Sequence, residues 1–418
     1  MFHAADSLEK KTERLVWEKT MLTLDRVYQA AFALKDIARK TDLIYSDKLP
    51  SEGELYLKTE NLQRTGGFKL RGAYFKISQL SEEERSRGII ACSAGNHAQG
   101  VALAASRMGI KSIICMPDGA PISKVESTKA LGAEVVLVPG AYDDAYEKAC
   151  QLRDEMGATF IHPFEDEDVI AGQGTIGLEI LDQLPDPDMV LVPIGGGGLA
   201  AGVAFAVKSL KPDVKVIGVQ AQNASAFAES FKEGKVIAHD TVATFADGIA
   251  VKVPGNTTFE LVHKYVDEIV TVTEDEIAAA ILALIEKQKL ITEGAGAVGV
   301  AAAMFGKVDV KGKKVVCVLS GGNIDVNILS RVITRGLVTS GRMSNLTIEL
   351  EDKPGQLTGV SEIISRCGGN VISVLHERSD ANMAIASCFL KIGMETRDAA
   401  QIAEIRGALT EAGFKIVD

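Results

Sequence analysis

The stretch Thr65–Ala73 reads TGGFKLRGA and places one lysine, Lys69, directly after an aromatic residue and between glycines. A strand-like run, Glu54–Lys58, precedes the stretch, and a helix-like run from Lys69 to Gln79 follows. We therefore expect Lys69 where a loop becomes a helix. The positive end of the helix dipole disfavours an ammonium there, which lowers the pKa of the amine and suits a nucleophilic lysine. The alternative is a surface lysine after a glycine turn.

Three further stretches each follow a short apolar strand and open a helix. They are Ser93–Gly100 (SAGNHAQG), Gly195–Leu199 (GGGGL) and Ser320–Asn323 (SGGN). Glycines let backbone N–H groups converge, and a helix N-terminus adds further donors. We predict that Gly195, Gly196, Gly197 and Gly198 form a site for a dianion such as a phosphate. The alternative is a turn with a packing role only.

Strand-like and helix-like runs alternate over most of the 418 residues, which are too many for one core, so we expect two or three domains. Most strand-like runs are apolar on both faces, as in a buried parallel sheet, and the fold class predicted is α/β. These runs are Gly88–Cys92, Ser112–Met116, Glu134–Val138, Thr159–His162, Met189–Val192, Lys215–Val219, Glu268–Val272 and Lys314–Leu319.

The pattern changes after Arg335. Residues 336–344 (GLVTSGRMS) are predicted to be a linker between a large region, 1–335, and a small domain, 345–418. The order β-α-β-β-α-β in the small domain is ferredoxin-like, an α+β arrangement. The predicted elements are strands Leu346–Leu350, Val371–Glu377, Met383–Ile392 and Phe414–Val417, and helices Gln356–Cys367 and Arg397–Ala412.

Composition excludes several partner classes. The formal charge of −11 argues against nucleic acid or an anionic membrane as a partner, and no apolar run reaches the roughly 18 residues of a membrane span. The segment Met1–Asp6 lacks the basic region followed by an apolar region that marks a secretory signal.

No two cysteines have C-x-x-C spacing, so zinc and redox motifs are unsupported and we expect no metal. Reduced, mostly buried thiols in a cytoplasmic protein are the default expectation.

In order and spacing, Lys69 and the three glycine-containing stretches resemble the pyridoxal-phosphate enzymes of the tryptophan-synthase β-subunit class, and within it the threonine ammonia-lyases (threonine dehydratases). The resemblance covers about Leu22 to Arg335, and its four-part pattern is highly specific although no single part is. It implies a catalytic region, 1–335, of two subdomains with twisted, mainly parallel sheets. The loop Asp352–Leu357 resembles the effector loop of ACT domains, which implies a regulatory ACT domain over 345–418.

The resemblance also implies roles around a pyridoxal 5′-phosphate cofactor. Lys69 resembles the family's Schiff-base lysine, and the same amine can remove the α-proton of the substrate. Phe68 would pack beside the cofactor, with plain core packing as the alternative. Gly195–Gly198 and Leu199 would bind the cofactor phosphate. The side chain of Asn96 would bond the cofactor's 3′-oxygen.

Ser93, Ala94, Asn96 and His97 mark the loop that, by resemblance, binds the substrate carboxylate. Ser93 and His97 have a second interpretation, as capping or supporting residues. The hydroxyl of Ser320 would meet the pyridine nitrogen. A neutral hydroxyl does not hold that nitrogen protonated, and this weaker electron sink favours elimination over transamination.

Two further segments resemble parts of the family close to the cofactor. Gly248 and Glu293 are interpreted as wall residues of the site, without an acid–base role.

Serine racemases carry a serine where this chain has Ala94, which speaks against racemisation. Metal-binding relatives place acidic residues where this chain has Gln220 and Ala226, so a carboxylate-built metal site is not supported.

The implied activity is deamination of L-threonine to 2-oxobutanoate and ammonia by β-elimination of water, with L-serine as a poorer substrate. The alternatives are a serine racemase, a serine dehydratase, a β-replacing synthase, or a non-catalytic amino-acid sensor. The ACT resemblance implies isoleucine or valine as an effector and a place in isoleucine biosynthesis, with a catabolic enzyme or a silent domain as the other readings. Relatives suggest a homotetramer.

Overall fold

A computed structural model describes residues 22–378 and 386–417, so the N-terminal segment considered above for a signal lies outside the described residues. The chain divides into two compact units between Asp325 and Val326. Two sheets belong to the first unit and one to the second. None of the helices described has both the length and the apolar character needed to cross a membrane.

The larger sheet of the first unit has six strands. They are β1 Leu43–Ser46, β2 Glu54–Lys58, β7 Met189–Pro193, β8 Lys215–Ala221, β9 Glu268–Val272 and β10 Lys314–Val318. Their order is β1-β2-β10-β7-β8-β9, and only the β1–β2 pair is antiparallel. All five residues of β7 are buried, as expected for a central strand covered on both faces.

The smaller sheet of the first unit has four strands. They are β3 Ile89–Cys92, β4 Ser112–Pro117, β5 Glu134–Val138 and β6 Thr159–Phe160. Their order is β5-β4-β3-β6 and all pairs are parallel. The two mainly parallel sheets confirm the α/β fold predicted from the apolar runs.

Helices connect these strands. In the first unit they are α1 Leu24–Ala33, α2 Lys69–Ser78, α3 Glu82–Arg87, α4 Asn96–Arg107, α5 Ile122–Ala130, α6 Tyr142–Met156, α7 Glu167–Gln183, α8 Gly198–Leu210, α9 Ala226–Glu233, α10 Asn256–Tyr265, α11 Glu274–Ala283 and α12 Gly294–Met304. Several starts carry sequence signals. Ser81 and Glu84 form a capping box before α3, and Thr273 and Glu276 form one before α11.

Glycines allow α7 and α8 to pack closely. A Cβ on Gly202 would lie 2.4 Å from the carbonyl oxygen of Ile170, and one on Gly174 would lie 3.0 Å from the carbonyl oxygen of Gly202. Since no real Cβ approaches backbone oxygen that closely, only glycine fits at Gly202. The close contact brings α8, which begins at the four-glycine turn, against the core of the unit.

A buried charge network fixes α2 against α7. The Arg71 guanidinium in α2 bonds Glu60 at 2.8 Å and Glu179 of α7 at 2.6 Å, and Lys58 bonds Glu179 at 2.6 Å. Arg71 is 1% exposed and Glu60 is fully buried. Burial alone raises the pKa of Glu60, but the Arg71 guanidinium outweighs it and holds that pKa below its ordinary value. The network therefore positions the helix that begins at Lys69.

The second unit has one antiparallel sheet with the order β12-β13-β11-β14. Its elements are helix α13 Val326–Thr339, strand β11 Met343–Glu351, helix α14 Gln356–Arg366, strands β12 Asn370–Glu377 and β13 Ser387–Glu395, helix α15 Ala399–Glu411 and strand β14 Lys415–Ile416. From β11 onward the order is the β-α-β-β-α-β expected for a ferredoxin-like domain. The start of the predicted strand at Met383 lies outside the described residues.

The segment 336–344, expected to be a linker, lies within the second unit and is largely helix and strand. Helix α13 runs through Gly336 to Thr339, and β11 begins at Met343. Glycine is tolerated within a helix at a modest cost, which is why Gly336 does not end α13. The turn is confined to the residues around Gly341, whose φ of 69° requires the left-handed conformation.

Candidate active site

The first and last of the four glycine-containing stretches lie side by side. Gly67 and Gly321 form an isolated antiparallel bridge. The backbone N–H of Phe68 donates to the carbonyl oxygen of Ser320 at 3.1 Å. Lys69 is the first residue of α2, as the sequence predicted. The loop before Lys69 is therefore held against the loop that leaves β10.

Lys69 has the environment of a reactive amine. Its Nζ donates to the carbonyl oxygen of Pro163 at 2.8 Å and lies 5.3 Å from the centre of the Phe68 ring. Burial lowers the pKa of Lys69 to about 8, against the opposing effect of the Glu293 carboxylate. A sizeable fraction of the amine is therefore neutral, and nucleophilic, near physiological pH.

The second stretch meets the first through Asn96, the first residue of α4. A Cβ on Gly67 would lie 3.0 Å from Cγ of Asn96, so a larger residue would crowd the amide. Asn96 Nδ2 donates to Glu293 Oε1 at 2.7 Å, and Asn96 Oδ1 accepts from Asn323. One hydrogen of the Nδ2 group is used in this way, and among the residues that the structure describes the second has no acceptor, so it can serve a ligand.

The four-glycine turn is the third stretch, and Phe164 connects it to Lys69. Pro163, whose carbonyl accepts from Lys69, is followed directly by Phe164. A Cβ on Gly196 would lie 2.3 Å from Cδ1 of Phe164, and Gly197 has a φ of 92°. The turn ends where α8 begins at Gly198. Neither Gly196 nor Gly197 could carry a side chain without a shift of the neighbouring residues.

Helix starts converge on this region. α2 begins at Lys69, α4 at Asn96, α8 at Gly198 and α12 at Gly294. The first N–H groups of a helix have no partner within it, so these starts offer donors and a positive potential to an anion. A phosphate fits the glycine turn before α8, because glycines have no side chains to keep the phosphate from the backbone N–H groups. Leu199, the second residue of α8, is buried beside it.

His97 supports the second loop from within. Its Nε2 bonds the carbonyl oxygen of Ile161 at 2.8 Å, and the side chain is 3% exposed. Burial, helped by the Lys69 charge, lowers the pKa of His97 to about 3, so the ring is neutral. A carbonyl can only accept, so the hydrogen is on Nε2 and Nδ1 has none to donate. A neutral ring in this state favours the supporting role over carboxylate binding.

The rest of this loop is compact. Ser93 Oγ accepts from the backbone N–H of Gly95 at 3.1 Å within the loop, and Gly95 is the residue that precedes α4. Ala94 is partly buried between them and packs against the core of the smaller sheet. Ser320 is 2% exposed at the end of β10. The structure thus brings together the predicted residues of the first, second and fourth stretches.

Glu293 has a property that the sequence interpretation missed. It is 4% exposed, directly before α12, and bonded to Asn96. Burial, and next the negative charge of Asp247, raise the pKa of Glu293 to about 7, although Lys124 and Asn96 oppose this. A group that titrates near neutral pH beside the reactive amine can hold or release a proton. Pro163 and Phe164 were also missed, because nothing in their local sequence marks them.

The chain's similarity to known proteins agrees with this geometry. Residues 34–321 match the model of the pyridoxal-phosphate dependent enzymes. The chain belongs to this family. Its members depend on pyridoxal phosphate, and the observed site has what that group needs, namely a desolvated lysine amine and a side-chain-free glycine turn at a helix start. The family resemblance and cofactor predicted from the sequence are confirmed.

Several relatives refine this placement. An L-threonine ammonia-lyase of Thermotoga maritima is 52% identical over 398 residues, 95% of this chain and 99% of that protein. A threonine deaminase isoform of Solanum lycopersicum is 40% identical, with a TM-score of 0.70 over 75% of this chain and 88% of the other. A maize serine racemase is 33% identical, with a TM-score of 0.72 over 77% of this chain and 99% of the other.

Proposed function

We propose that this protein is a threonine ammonia-lyase, a carbon–nitrogen lyase that converts L-threonine to 2-oxobutanoate and ammonia and accepts L-serine as a poorer substrate. The observation that carries the proposal is the Lys69 amine, whose pKa is lowered to about 8 at the first residue of α2. The threonine ammonia-lyase relatives, which match nearly the full chain, support the same substrate.

Pyridoxal phosphate, when bound, supplies an electron sink for the electron pair left on the α-carbon of an amino acid. Gly195–Gly198 and Leu199 are proposed to bind its phosphate with backbone N–H groups at the start of α8. Asn96 is proposed to bond the cofactor's 3′-oxygen with the second hydrogen of its Nδ2 group. Phe68, close to the Lys69 amine, is proposed to pack beside the ring. Ser320 is proposed to bond the pyridine nitrogen.

Lys69 is proposed to act on the substrate as base. Its neutral amine takes the α-proton, and its hydrogen bond to Pro163 fixes the position of Nζ. The loop from Ser93 through Asn96 binds the substrate carboxylate with the N–H groups at the start of α4. His97 holds this loop through its bond to Ile161. The β-hydroxyl takes up one proton and leaves as water, which balances the α-proton that Lys69 removes. The released enamine takes up water to give 2-oxobutanoate and ammonia.

Serine racemisation is the second candidate, because a maize serine racemase shares the fold at 33% identity. A racemase needs an acid on the face of the substrate opposite the lysine. By resemblance that position is Ala94 in this chain, whose methyl group carries no proton to give. We therefore expect elimination from L-serine with little D-serine. Chiral analysis of the products from L-serine distinguishes the two reactions.

Residues 345–418 are proposed to form an ACT regulatory domain that binds isoleucine or valine, in a homotetrameric enzyme of isoleucine biosynthesis. The antiparallel order β12-β13-β11-β14 supports the domain type. The segment Asp352–Leu357, which follows β11 and includes the first two residues of α14, supports an effector site by its resemblance. The catalytic region is proposed to span 1–335, a range whose last ten residues, 326–335, lie in α13 of the second unit.

The experiment that tests the proposal follows 2-oxobutanoate formation against L-threonine concentration, with and without L-isoleucine. A rate of 2-oxobutanoate formation that depends sigmoidally on L-threonine concentration, with a midpoint that isoleucine shifts, supports both the lyase and the regulatory domain. Turnover indifferent to isoleucine and valine supports the lyase alone and points to a catabolic role. No turnover of threonine by cofactor-loaded protein would overturn the substrate assignment.

A further inference from the structure

Three side chains of types that commonly bind metal ions lie close together at one end of the sheet in the second unit. Asp352, His376 and Cys388 place one ligand atom each so that all three atoms lie within 4.8 Å of one another. They come from three different strand regions, 24 and 12 positions apart in sequence. Such separations match no sequence spacing for zinc, which is why the expectation of no metal was reasonable before the strand pairing was known.

The strand register explains why the three side chains share a face. Leu350 pairs with Cys388, and the ladder continues as the Asp352 N–H donates to Ala386 at 2.9 Å. Side chains alternate along a strand, so Asp352 points to the same face as Leu350 and Cys388. His376 pairs with Leu390, which is two residues from Cys388 and on that same face. The backbone pairing therefore places the three residues on one face of the sheet.

The cluster combines a buried soft ligand with two accessible ones. Cys388 is 1% exposed within the core of the unit, whereas Asp352 and His376 are exposed. Arg378 bonds one of the two carboxylate oxygens of Asp352 at 3.0 Å. Thiolate, imidazole and carboxylate together suit zinc or a similar divalent transition ion, and a thiolate disfavours magnesium and calcium.

We propose that Asp352, His376 and Cys388 form a binding site for a divalent transition metal ion, best matched by Zn²⁺. Three protein ligands leave the fourth tetrahedral position for water or another small ligand. Binding forms the metal–sulfur bond and expels the Cys388 proton to solvent, with no change of oxidation state. Because Asp352 begins the loop Asp352–Leu357, a bound ion fixes one end of that loop. The site is independent of the proposed catalytic function.

The test is a zinc titration of tag-free, full-length holoenzyme from which metal has been removed. In the titration the protein competes for zinc with a chromophoric chelator. The wild type is expected to bind one ion more tightly than His376→Ala by at least about tenfold, since even residues that only support metal ligands cost ~10- to 100-fold. His376 is exposed, so His376→Ala should fold normally. Cys388→Ser should lose affinity in the same way.

Cys367→Ser is the matched control, because Cys367 lies in the same unit outside the cluster and should leave zinc affinity unchanged. X-ray absorption at the zinc edge should find one sulfur neighbour at about 2.3 Å. Affinity should rise about tenfold per pH unit while one proton is released. Equal zinc affinity in wild type and His376→Ala, or a zinc site with only nitrogen and oxygen neighbours, would overturn the proposal.

Discussion

The side-chain amide of Asn96 donates to Oε1 of Glu293 across 2.7 Å, although 197 positions separate the two residues. The bond ties the start of α4 to the start of α12. Glycines leave room for it, since a Cβ on Gly321 would lie 2.5 Å from Glu293 Oε1 and one on Gly248 would lie 2.9 Å from it. A buried carboxyl with a pKa raised to about 7 is thereby placed in the candidate active site.

Glu293→Gln should change how stability depends on pH. The folded state keeps Glu293 protonated up to about pH 7, whereas the ordinary pKa is 4.5. Between these values the folded state binds more protons, so the free energy of unfolding falls as pH rises. The loss between pH 5 and pH 8 is about 2.5 kcal/mol, because most of the shift of about 2.5 pKa units falls between these two pH values. Urea unfolding of cofactor-free protein at pH 5 and pH 8 measures it.

Glu293→Gln should show a smaller loss between these two pH values than the wild type, because glutamine does not titrate. Glu260→Gln, which alters an exposed carboxylate of α10, is the matched control and should follow the wild type. An identical pH dependence in wild type and Glu293→Gln would show that Glu293 is not protonated near neutrality in the folded protein.

Gly196→Ala should weaken cofactor binding. The new Cβ would meet the Phe164 ring at 2.3 Å, and relieving such overpacking costs about 1–3 kcal/mol. Equilibrium dialysis of pyridoxal phosphate against cofactor-free protein measures the change. Gly119→Ala is the control, because a Cβ there meets nothing within 4 Å. Phe164→Leu in the Gly196→Ala background should restore part of the affinity. Unchanged cofactor affinity in Gly196→Ala alone would contradict the proposal that the four-glycine turn binds the cofactor phosphate.

Arg71→Met should destabilise the protein by about 3–5 kcal/mol, because Glu60 would be left as an unpaired buried charge. Denaturant unfolding measures this difference. Lys129→Met removes an exposed ion pair with Glu126 and should cost less than about 1 kcal/mol. Adding Glu60→Gln to Arg71→Met should recover part of the loss. Equal effects of the two single variants would show that the network does not stabilise the fold.

Ser320→Ala should lower kcat/KM for L-threonine by about tenfold, the effect of losing one hydrogen bond of about 1.4 kcal/mol. The glycine turn is untouched, so cofactor affinity should change far less. Ser86→Ala, on the exposed α3, is the control. Steady-state kinetics together with cofactor dialysis check both statements. Wild-type kinetics and affinity in Ser320→Ala would remove the proposed role of the hydroxyl.

Local sequence was sufficient for the strands that position the site. The runs at Glu54–Lys58, Glu134–Val138 and Glu268–Val272 are strands with those bounds, as their apolar, aromatic and β-branched residues predict, although no residue of Glu134–Val138 is buried. Helix starts at Lys69 and Asn96 were also visible, since glycine turns precede them. β1, with its short and partly polar run Leu43–Ser46, was not predicted.

Contacts between distant segments were beyond local sequence. Glu293 was interpreted as a wall residue without an acid–base role, because its pKa follows from burial and from Asp247, which no pattern reveals. The Pro163 carbonyl that accepts from Lys69 has no side-chain signal at all. The extent of α13 was missed because Gly336 and Gly341 suggested one continuous turn. The misses at Glu293 and Pro163 concern tertiary environment, whereas the miss at α13 concerns local helix propensity.

The most direct measurement compares 2-oxobutanoate formation from L-threonine by the wild type and Lys69→Ala, both loaded with pyridoxal phosphate. Lys76→Ala, an exchange of another lysine of α2 that pairs with Asp166, is the control and should stay within a few-fold of the wild type. The account predicts threonine-dependent turnover in the wild type and a loss of at least about 10²–10⁴-fold in Lys69→Ala. Substantial turnover by Lys69→Ala would contradict it.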